Sequence, residues 1–520
     1  MAKQTNAKIG FENELWAAAD AMRGNVSASD YRKIVVGLIF LKYVSDAFDF
    51  RYQELLNAED YYEGDEEDRD AYIEKNVFFV PETARWSVIS SSAHTPEIGV
   101  KLDEAMRAIE KENKSLKNVL PIIYASPDID KRVLGNVVDI FTNIEMHSEN
   151  EEQDLLGRAY EYFIEKFAAL EGKNGGEFYT PSSIVKTIVA ILKPFKGRVY
   201  DPACGSGGMF VQSAKFVREH SGNINDLSIY GQEANPDTWK MAKMNMALRG
   251  LEANFGAHQA DTFHNDLHPT LKADFVMANP PFNISDWGGE RLTDDVRWKY
   301  GVPPTGNANY AWMQHMIYHL APNGSMAMVL SNGSLSSNTS NEGEIRKNIL
   351  KADLVDCILM LPKQLFYNTG IPACIWFLRR NKKDDKYKDR SKEVLFIDAS
   401  EVGYMRDRTH RDFSKEDIQK ISNTYHEWRK IDGKYEDIKG FCKSASLEEI
   451  EKNGWVLTPG RYVGIPEEED DGIPFEEKMN VLVKDLKKTM DESKVLDEEI
   501  KKSLKEVGFD LDKKDNFVYM

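Results

Sequence analysis

The chain has 520 residues, 42% hydrophobic and 29% charged, a balance that suits a globular protein with more than one core and excludes disordered and fibrous classes. Its 67 Lys and Arg face 85 Asp and Glu, a net charge of -18, so the chain as a whole does not supply a basic surface for wrapping a phosphate backbone. Four cysteines without a C-x-x-C pair exclude a disulfide framework and the usual zinc spacing, and the apolar run Ile34 to Leu41 is too short to span a membrane, so a reducing, cytoplasmic compartment is expected.

The first 170 residues read as a helical domain. An alanine-rich helix from Leu15 to Arg23 stops at Gly24. Ser29 and Asp30 offer caps for a second helix with apolar positions at Ile34, Leu38, Leu41 and Val44. Ala58 to Tyr72 reads as an acidic surface connection, and another helix runs through Leu155, Leu156, Tyr160, Phe163 and Phe167.

From about residue 171 to 400 short apolar strands alternate with helices. Strands are expected at 198–201, 228–232, 256–260, 274–278, 325–330, 354–361 and 373–378. Helices are expected at 209–219, 236–249, 309–320 and 342–349. This rhythm predicts an α/β domain with a mostly parallel, seven-stranded sheet covered on both faces. Residues 401–520 return to charged helix, with an acidic linker at Glu467–Asp471. Beyond it Leu482, Leu486, Thr489, Ser493, Leu496, Ile500, Leu504 and Val507 recur every three or four positions, the pattern of a long amphipathic helix that either coils against a partner or packs within the chain.

Ligands on such a fold bind beyond the carboxyl ends of the strands, and those ends carry unusual residues. The first strand runs into Asp201-Pro202-Ala203-Cys204-Gly205-Ser206-Gly207-Gly208. Its glycines allow a tight turn, and the following helix presents free N–H groups. Glu233, after the second strand, can accept both hydroxyls of an unphosphorylated ribose. Asp261 can accept from an adenine amino group while Phe263 packs the base. These positions fit a nucleoside-containing cofactor without choosing among them. The fourth strand ends in Asn279-Pro280-Pro281-Phe282, a stiff segment that offers carbonyl oxygens and a ring to a planar substrate with an exocyclic NH2.

The glycine loop, followed 71 residues after Gly208 by Asn279-Pro280-Pro281-Phe282, resembles the S-adenosyl-L-methionine-dependent amino-group DNA methyltransferases. More closely, the chain is similar to the modification subunit of type I restriction-modification systems. Ala17–Gly24, Gly37–Tyr43, Asp154–Phe163 and Gly176–Pro181 carry that closer likeness. The resemblance implies a Rossmann-like methyltransferase core and methyl transfer to N6 of adenine. It places Thr180 and Asp201 to Gly207, with Gly205 and Ser206 between, around the methionine half of the cofactor. Glu233 takes the ribose, Asp261 and Phe263 the adenine, and a flipped substrate base enters beside Asn279, Pro280, Pro281 and Phe282. It also implies a complex of two modification subunits with one specificity subunit that reads double-stranded DNA, to which restriction subunits can add.

Two loops carry further expectations. Gly172, Gly175 and Gly176 precede Glu177-Phe178-Tyr179, either an aromatic flap that can close over the cofactor or a simple interdomain hinge, and the flap reading adds Glu177 to the cofactor-binding set. Trp287 to Tyr310 contains Arg291, Arg297 and Lys299, candidates for a DNA-phosphate edge against the simpler reading of a surface lid. No cysteine follows a proline, which speaks against cytosine C5 chemistry through a covalent adduct. Cytosine N4, an RNA or protein amide as acceptor, and a catalytically idle assembly subunit stay open at this stage.

Overall fold

The computed structural model describes residues 27–57, 64–143, 180–220, 222–366, 372–408, 410–465 and 475–506, together with Trp16 and Tyr162. Nearly all of the expected helices at 15–23 and through 155–167, the flap with Glu177, and the acidic linker lie outside the described residues. The chain divides into two units, 1–465 and 466–520.

In the N-terminal region Ser27 caps α1 (Ala28–Leu56), its hydroxyl oxygen accepting the Asp30 N–H at 3.1 Å. The cap is therefore earlier than the expected Ser29–Asp30 pair. Asp30 instead sits in the first turn, where a carboxylate suits the helix dipole. Ile34, Leu38, Leu41 and Val44 are buried as expected, but so are Val35, Val36, Ile39 and Phe40. That pattern makes α1 a central helix covered on several sides. Around it pack α2 (Ile98–Glu112), α3 (Lys131–Thr142) and the short helix Trp86–Ser91. A Cβ at Gly37 would collide with the Tyr124 hydroxyl, which donates to the Ile34 carbonyl at 3.0 Å, so the absent side chain sets how closely this loop meets α1.

The α/β part begins with α4 (Ser182–Leu192) and continues β1 (Gly197–Asp201), α5 (Gly208–Glu219), β2 (Leu227–Gly231), α6 (Pro236–Leu248), β3 (Ala253–Asn254) and β4 (Ala273–Ala278). Then follow α7 (Asn309–His319), β5 (Leu320–Ser331), α8 (Glu342–Lys351), β6 (Val355–Met360), β7 (Ala373–Arg379) and β8 (Glu393–Asp398). The two-residue strands β9 (Tyr404–Met405) and β10 (Arg411–Asp412) form a small ribbon, and α9 (Lys415–Arg429) leads to β11 (Cys442–Ser446).

Among the described residues the main sheet has nine strands in the order β11-β8-β6-β7-β5-β4-β1-β2-β3, two more than expected. β7 runs antiparallel between β5 and β6, and β11 is antiparallel on β8, while the remaining pairings are parallel. β8 and β11 extend one edge, so the chain from 401 to 446 completes the sheet and the expected boundary at 400 falls inside this layer. The expected strand at 256–260 is absent. Gly256 has φ +73 and donates its N–H to Asn254 Oδ1 at 3.0 Å, a turn that ends β3 early.

Side chains alternate between two cores, as a strand's period of two requires. Val199, Met277, Val329, Leu359 and Ile375 face a layer containing α4, α5 and α9, whereas Tyr200, Val276, Met328, Ile358 and Trp376 face α7 and α8. The N-terminal helices join through α6: Met241, Met244 and Leu248 belong to the α1 core, and Lys33 pairs with Asp237 at 2.9 Å. The unit beyond residue 465 contains α10 (Phe475–Glu506).

Candidate functional site

β1 lies between β2, which follows it in the chain, and β4, which comes later. The chain therefore leaves β1 and β4 in opposite directions across the sheet, and a crevice opens at their carboxyl ends. Asp201 closes β1 on one side of this switch point and Asn279 follows β4 on the other.

Gly205 and Gly207 have φ of 54° and 83°, conformations that a side chain disfavours, and Gly207 caps the N-terminus of α5. A Cβ at Gly207 would lie 2.9 Å from the Met246 methyl, a contact this flexible side chain can relieve, so the backbone angle is what calls for glycine. Asn245, on α6, donates to the Ser206 carbonyl at 2.7 Å. Glu233 ties this loop to the next strand end: Oε2 accepts the Gly205 N–H at 3.0 Å and Oε1 the Asn235 N–H at 2.8 Å. Each carboxylate oxygen keeps acceptor capacity for a hydroxyl. Burial raises the Glu233 carboxyl against the pull of those N–H groups. Asp201 is buried as well. Burial, opposed by the Ala203 N–H and reinforced by Glu233, pushes its carboxyl up to about 8.

The third acidic position lies on the turn after β3. Asp261 Oδ1 accepts the Phe263 N–H at 2.8 Å, and Oδ2 is 2.8 Å from His264 Nδ1, with the side chain half exposed. Thr262 donates its hydroxyl to the Pro202 carbonyl at 2.6 Å, and the Ala260 N–H reaches the Glu233 carbonyl at 3.0 Å. Glycine loop, Glu233 and the Asp261 turn are thus laced into one rim. Phe263 is buried, its ring centroid 4.3 Å from that of Trp312 and 5.0 Å from that of Trp287.

On the substrate side, Asn279 Nδ2 donates to Thr180 Oγ1 at 3.0 Å, while its buried Oδ1 has no hydrogen-bond partner among the described residues. A buried orphan acceptor is costly, by roughly 1–3 kcal/mol, and suits a ligand that brings an N–H. Asn283, at φ 55, fixes the end of this segment: its N–H donates to Asn309 Oδ1 at 3.0 Å and its Oδ1 accepts from Asn309 Nδ2 at 2.8 Å. Phe282 meets Phe366 edge-on, centroids 5.9 Å apart at 78°. Phe366 did not emerge from the sequence reading, although it lies just past the carboxyl end of β6, where the strand-end rule would have pointed.

The three basic candidates separate. Arg291 and Lys299 are exposed and stay available to an anion. Arg297 is buried, and its N–H groups are taken by Asp295, His315 Nδ1 and the carbonyls of Thr262 and Phe263. The expected phosphate role for Arg297 is therefore corrected: it has no face toward solvent. Asp266, His315 and His319 converge beneath the rim with metal-ligand residue types. Their nitrogens are used within the protein, His319 by Asp266 and the Leu271 carbonyl, His315 by Arg297 and the Tyr200 hydroxyl. The guanidinium beside them opposes a further cation.

Sheet order, switch point, glycine cradle and acidic residues at successive strand ends define an S-adenosylmethionine-dependent methyltransferase. The residues present fit that cofactor: the buried carboxylates of Asp201 and Glu233 suit its cationic and hydroxyl groups, and Gly205 and Gly207 leave the turn of the loop without side chains. The chain belongs to the N-6 DNA methylase family, whose profile matches residues 151–471, and an HsdM N-terminal domain profile matches residues 11–141. It is 52% identical to the type I restriction enzyme HindI methylase subunit of Haemophilus influenzae over 453 residues, covering 83% of this chain and 100% of that one. It is 40% identical to the MjaIX methylase subunit of Methanocaldococcus jannaschii over 520 residues, covering 96% and 92%. The crystal structure of a type I restriction-modification methyltransferase subunit from Streptococcus thermophilus superposes with a TM-score of 0.73 at 27% identity, covering 87% of this chain and 99% of that one. Among the described residues no helix is long and apolar enough to cross a membrane.

Proposed function

We propose that this chain is the methylating subunit of a type I restriction-modification complex and transfers a methyl group from S-adenosylmethionine to N6 of adenine in DNA. The observation that carries this reading is the buried, unpartnered Oδ1 of Asn279 at the carboxyl end of β4. The cofactor, when bound, supplies an electrophilic methyl group on a sulfonium. The protein's task is to make a poor nucleophile available, because the adenine N6 lone pair is delocalised into the ring. Asn279 Oδ1 and the Pro280 carbonyl accept the two amino hydrogens, which favours a pyramidal nitrogen with its lone pair directed at the methyl. Both bonds strengthen as the nitrogen becomes positive, so they stabilise the transition state selectively.

Asp201, Glu233 and the Asp261 turn hold the donor, and Thr180 holds the Asn279 carboxamide, so that the reactants meet in line. Phe282 and Phe366 receive the flipped base, recovering part of the few kcal/mol that unstacking costs. Arg291 and Lys299 serve the phosphate edge, and Pro281 stiffens the base pocket. Sequence reading belongs to a separate specificity subunit, which a chain of net charge -18 needs for tight DNA binding. A second copy of this chain, and restriction subunits, complete the assembly, and residues beyond 465 form the docking arm. A DNA substrate and four buried free thiols suit the cytoplasm.

The test is to reconstitute the full chain with its specificity subunit, supply cofactor labelled in the methyl group and a duplex, and analyse the nucleosides. N6-methyladenine is expected. Cofactor binding without transfer would mean an assembly role, and N4-methylcytosine would overturn the choice of base.

A further inference from the structure

Arg297 lies beneath the Asp261–Phe263 turn with its hydrogen-bonding capacity filled. A guanidinium has five N–H donors and no acceptor. Nη2 donates to the Phe263 carbonyl at 2.6 Å and to Asp295 Oδ2 at 2.6 Å. Nη1 donates to the Thr262 carbonyl at 3.2 Å and to His315 Nδ1 at 3.0 Å, and Nε donates to Asp295 Oδ1 at 2.8 Å. Since Arg297 can only donate, His315 Nδ1 is the accepting nitrogen. The proton of a neutral His315 then sits on Nε2, 3.1 Å from the Tyr200 hydroxyl. Tyr200 immediately precedes Asp201 on β1. One buried cation thus ties the turn after β3 to the strand that feeds the glycine loop.

We propose that Arg297 is a positioning residue for the cofactor's adenine. By gripping two successive carbonyls it presets the backbone that aims the Asp261 carboxylate and the Phe263 ring, so that the base is received without reordering the turn. Asp295 orients the guanidinium, and His315 and Tyr200 reference it to β1. A lysine cannot reproduce this grip, because one ammonium has three donors and no planar fork. This inference rests on the reading that Asp261 and Phe263 receive adenine.

The decisive measurement is base discrimination by the full-length protein: the ratio of affinities for S-adenosylhomocysteine and S-inosylhomocysteine, which lacks the 6-amino group. Asp261 accepts from that group, so the unaltered protein should favour the adenosyl compound by about 10-fold, the weight of one charge-assisted hydrogen bond. Arg297→Lys and Asp295→Asn should each shrink the ratio at least about 3-fold, while kcat at saturating cofactor in the reconstituted complex changes less than about 3-fold. A merely structural loss would scale both affinities together and leave the ratio alone. Folded variants of both kinds that keep the full ratio would overturn the positioning role, and Asp295→Asn decides the matter if Arg297→Lys does not fold. An unaltered protein that binds both compounds equally would overturn the adenine reading of the turn, and Arg297's role with it.

Discussion

Asn279 donates its side-chain N–H to Thr180 Oγ1 at 3.0 Å, and that one bond decides which end of the carboxamide stays open. With the nitrogen engaged, the free atom is Oδ1, an acceptor, which matches an incoming amino group and not a ring nitrogen. Asn279→Ala should lower kcat by roughly 10²–10³, the usual loss for one group that stabilises developing charge. Thr180→Val removes the acceptor at nearly constant volume and lets the amide rotate, so a loss of about 10-fold is expected. Single-turnover methylation with titrated cofactor checks both. An equal loss of cofactor affinity in Asn279→Ala would move this residue from the substrate side to the cofactor side.

The edge-on pair Phe282 and Phe366 makes a separate prediction about the extrahelical base. Base–aromatic stacking is worth about 1–3 kcal/mol per ring. Phe366→Ala should therefore weaken productive DNA binding by about 5- to 100-fold and reduce the fluorescence rise of 2-aminopurine at the target position. Cofactor affinity should hold. Phe366 is itself buried, so thermal melting must accompany the assay, and Phe366→Leu separates lost packing from lost stacking.

Asp201 predicts a pH dependence with a defined sign. Burial and the neighbouring Glu233 raise its carboxyl from 3.8 to about 8, so in the free protein it holds a proton at neutral pH. A cationic cofactor favours the ionised carboxylate, so binding releases that proton. Affinity should therefore strengthen as pH rises from about 5 to about 8, with a slope approaching one proton. Stability of the free protein runs the other way. The folded state binds the extra proton, so its stabilising effect is complete below pH of about 4 and is lost as pH rises through about 8. Asp201→Asn should flatten both profiles, which calorimetry in two buffers and melting curves would reveal. A variant with the original pH slope would assign the proton elsewhere.

What could be read from the sequence follows from how local each feature is. The glycine loop, Glu233 and Asn279 stand at strand ends because β1, β2 and β4 are short runs closed by Gly, Pro or an acid, and those signals are contiguous, whereas Asp261 lies on a turn well past β3 and not at the end of the strand expected before it. Arg297 is different. As a residue type it looks the same whether it meets solvent or a buried turn, and the two carbonyls it grips are 34 and 35 residues away. β11, with the sequence Cys-Lys-Ser-Ala-Ser, has little apolar pattern and becomes a strand by pairing with β8, so the sheet's far edge and the boundary at 400 were not legible. The Ser27 cap was missed for a smaller reason: several Ser and Asp in succession offer equivalent caps, and tertiary packing of α1 chooses among them.

The helix α10 presents Leu482, Leu486, Leu496 and Ile500 between 53% and 60% exposed, the first two and the last two each four residues apart. A helix of 32 residues is about 48 Å long and gains most of its stability from a covered apolar face. Apolar positions every three or four residues keep one stripe along the helix, a seam that another helix can cover. Leu486→Glu combined with Leu496→Glu puts two charges into that stripe and should weaken capture of the specificity subunit by at least about 10-fold, with cofactor affinity unchanged. Truncation after Pro474 should do the same more completely. Size-exclusion co-elution and isothermal titration with S-adenosylhomocysteine measure the two properties on one preparation. If cofactor binding falls together with subunit capture, the helix supports the catalytic unit and the seam belongs to this chain.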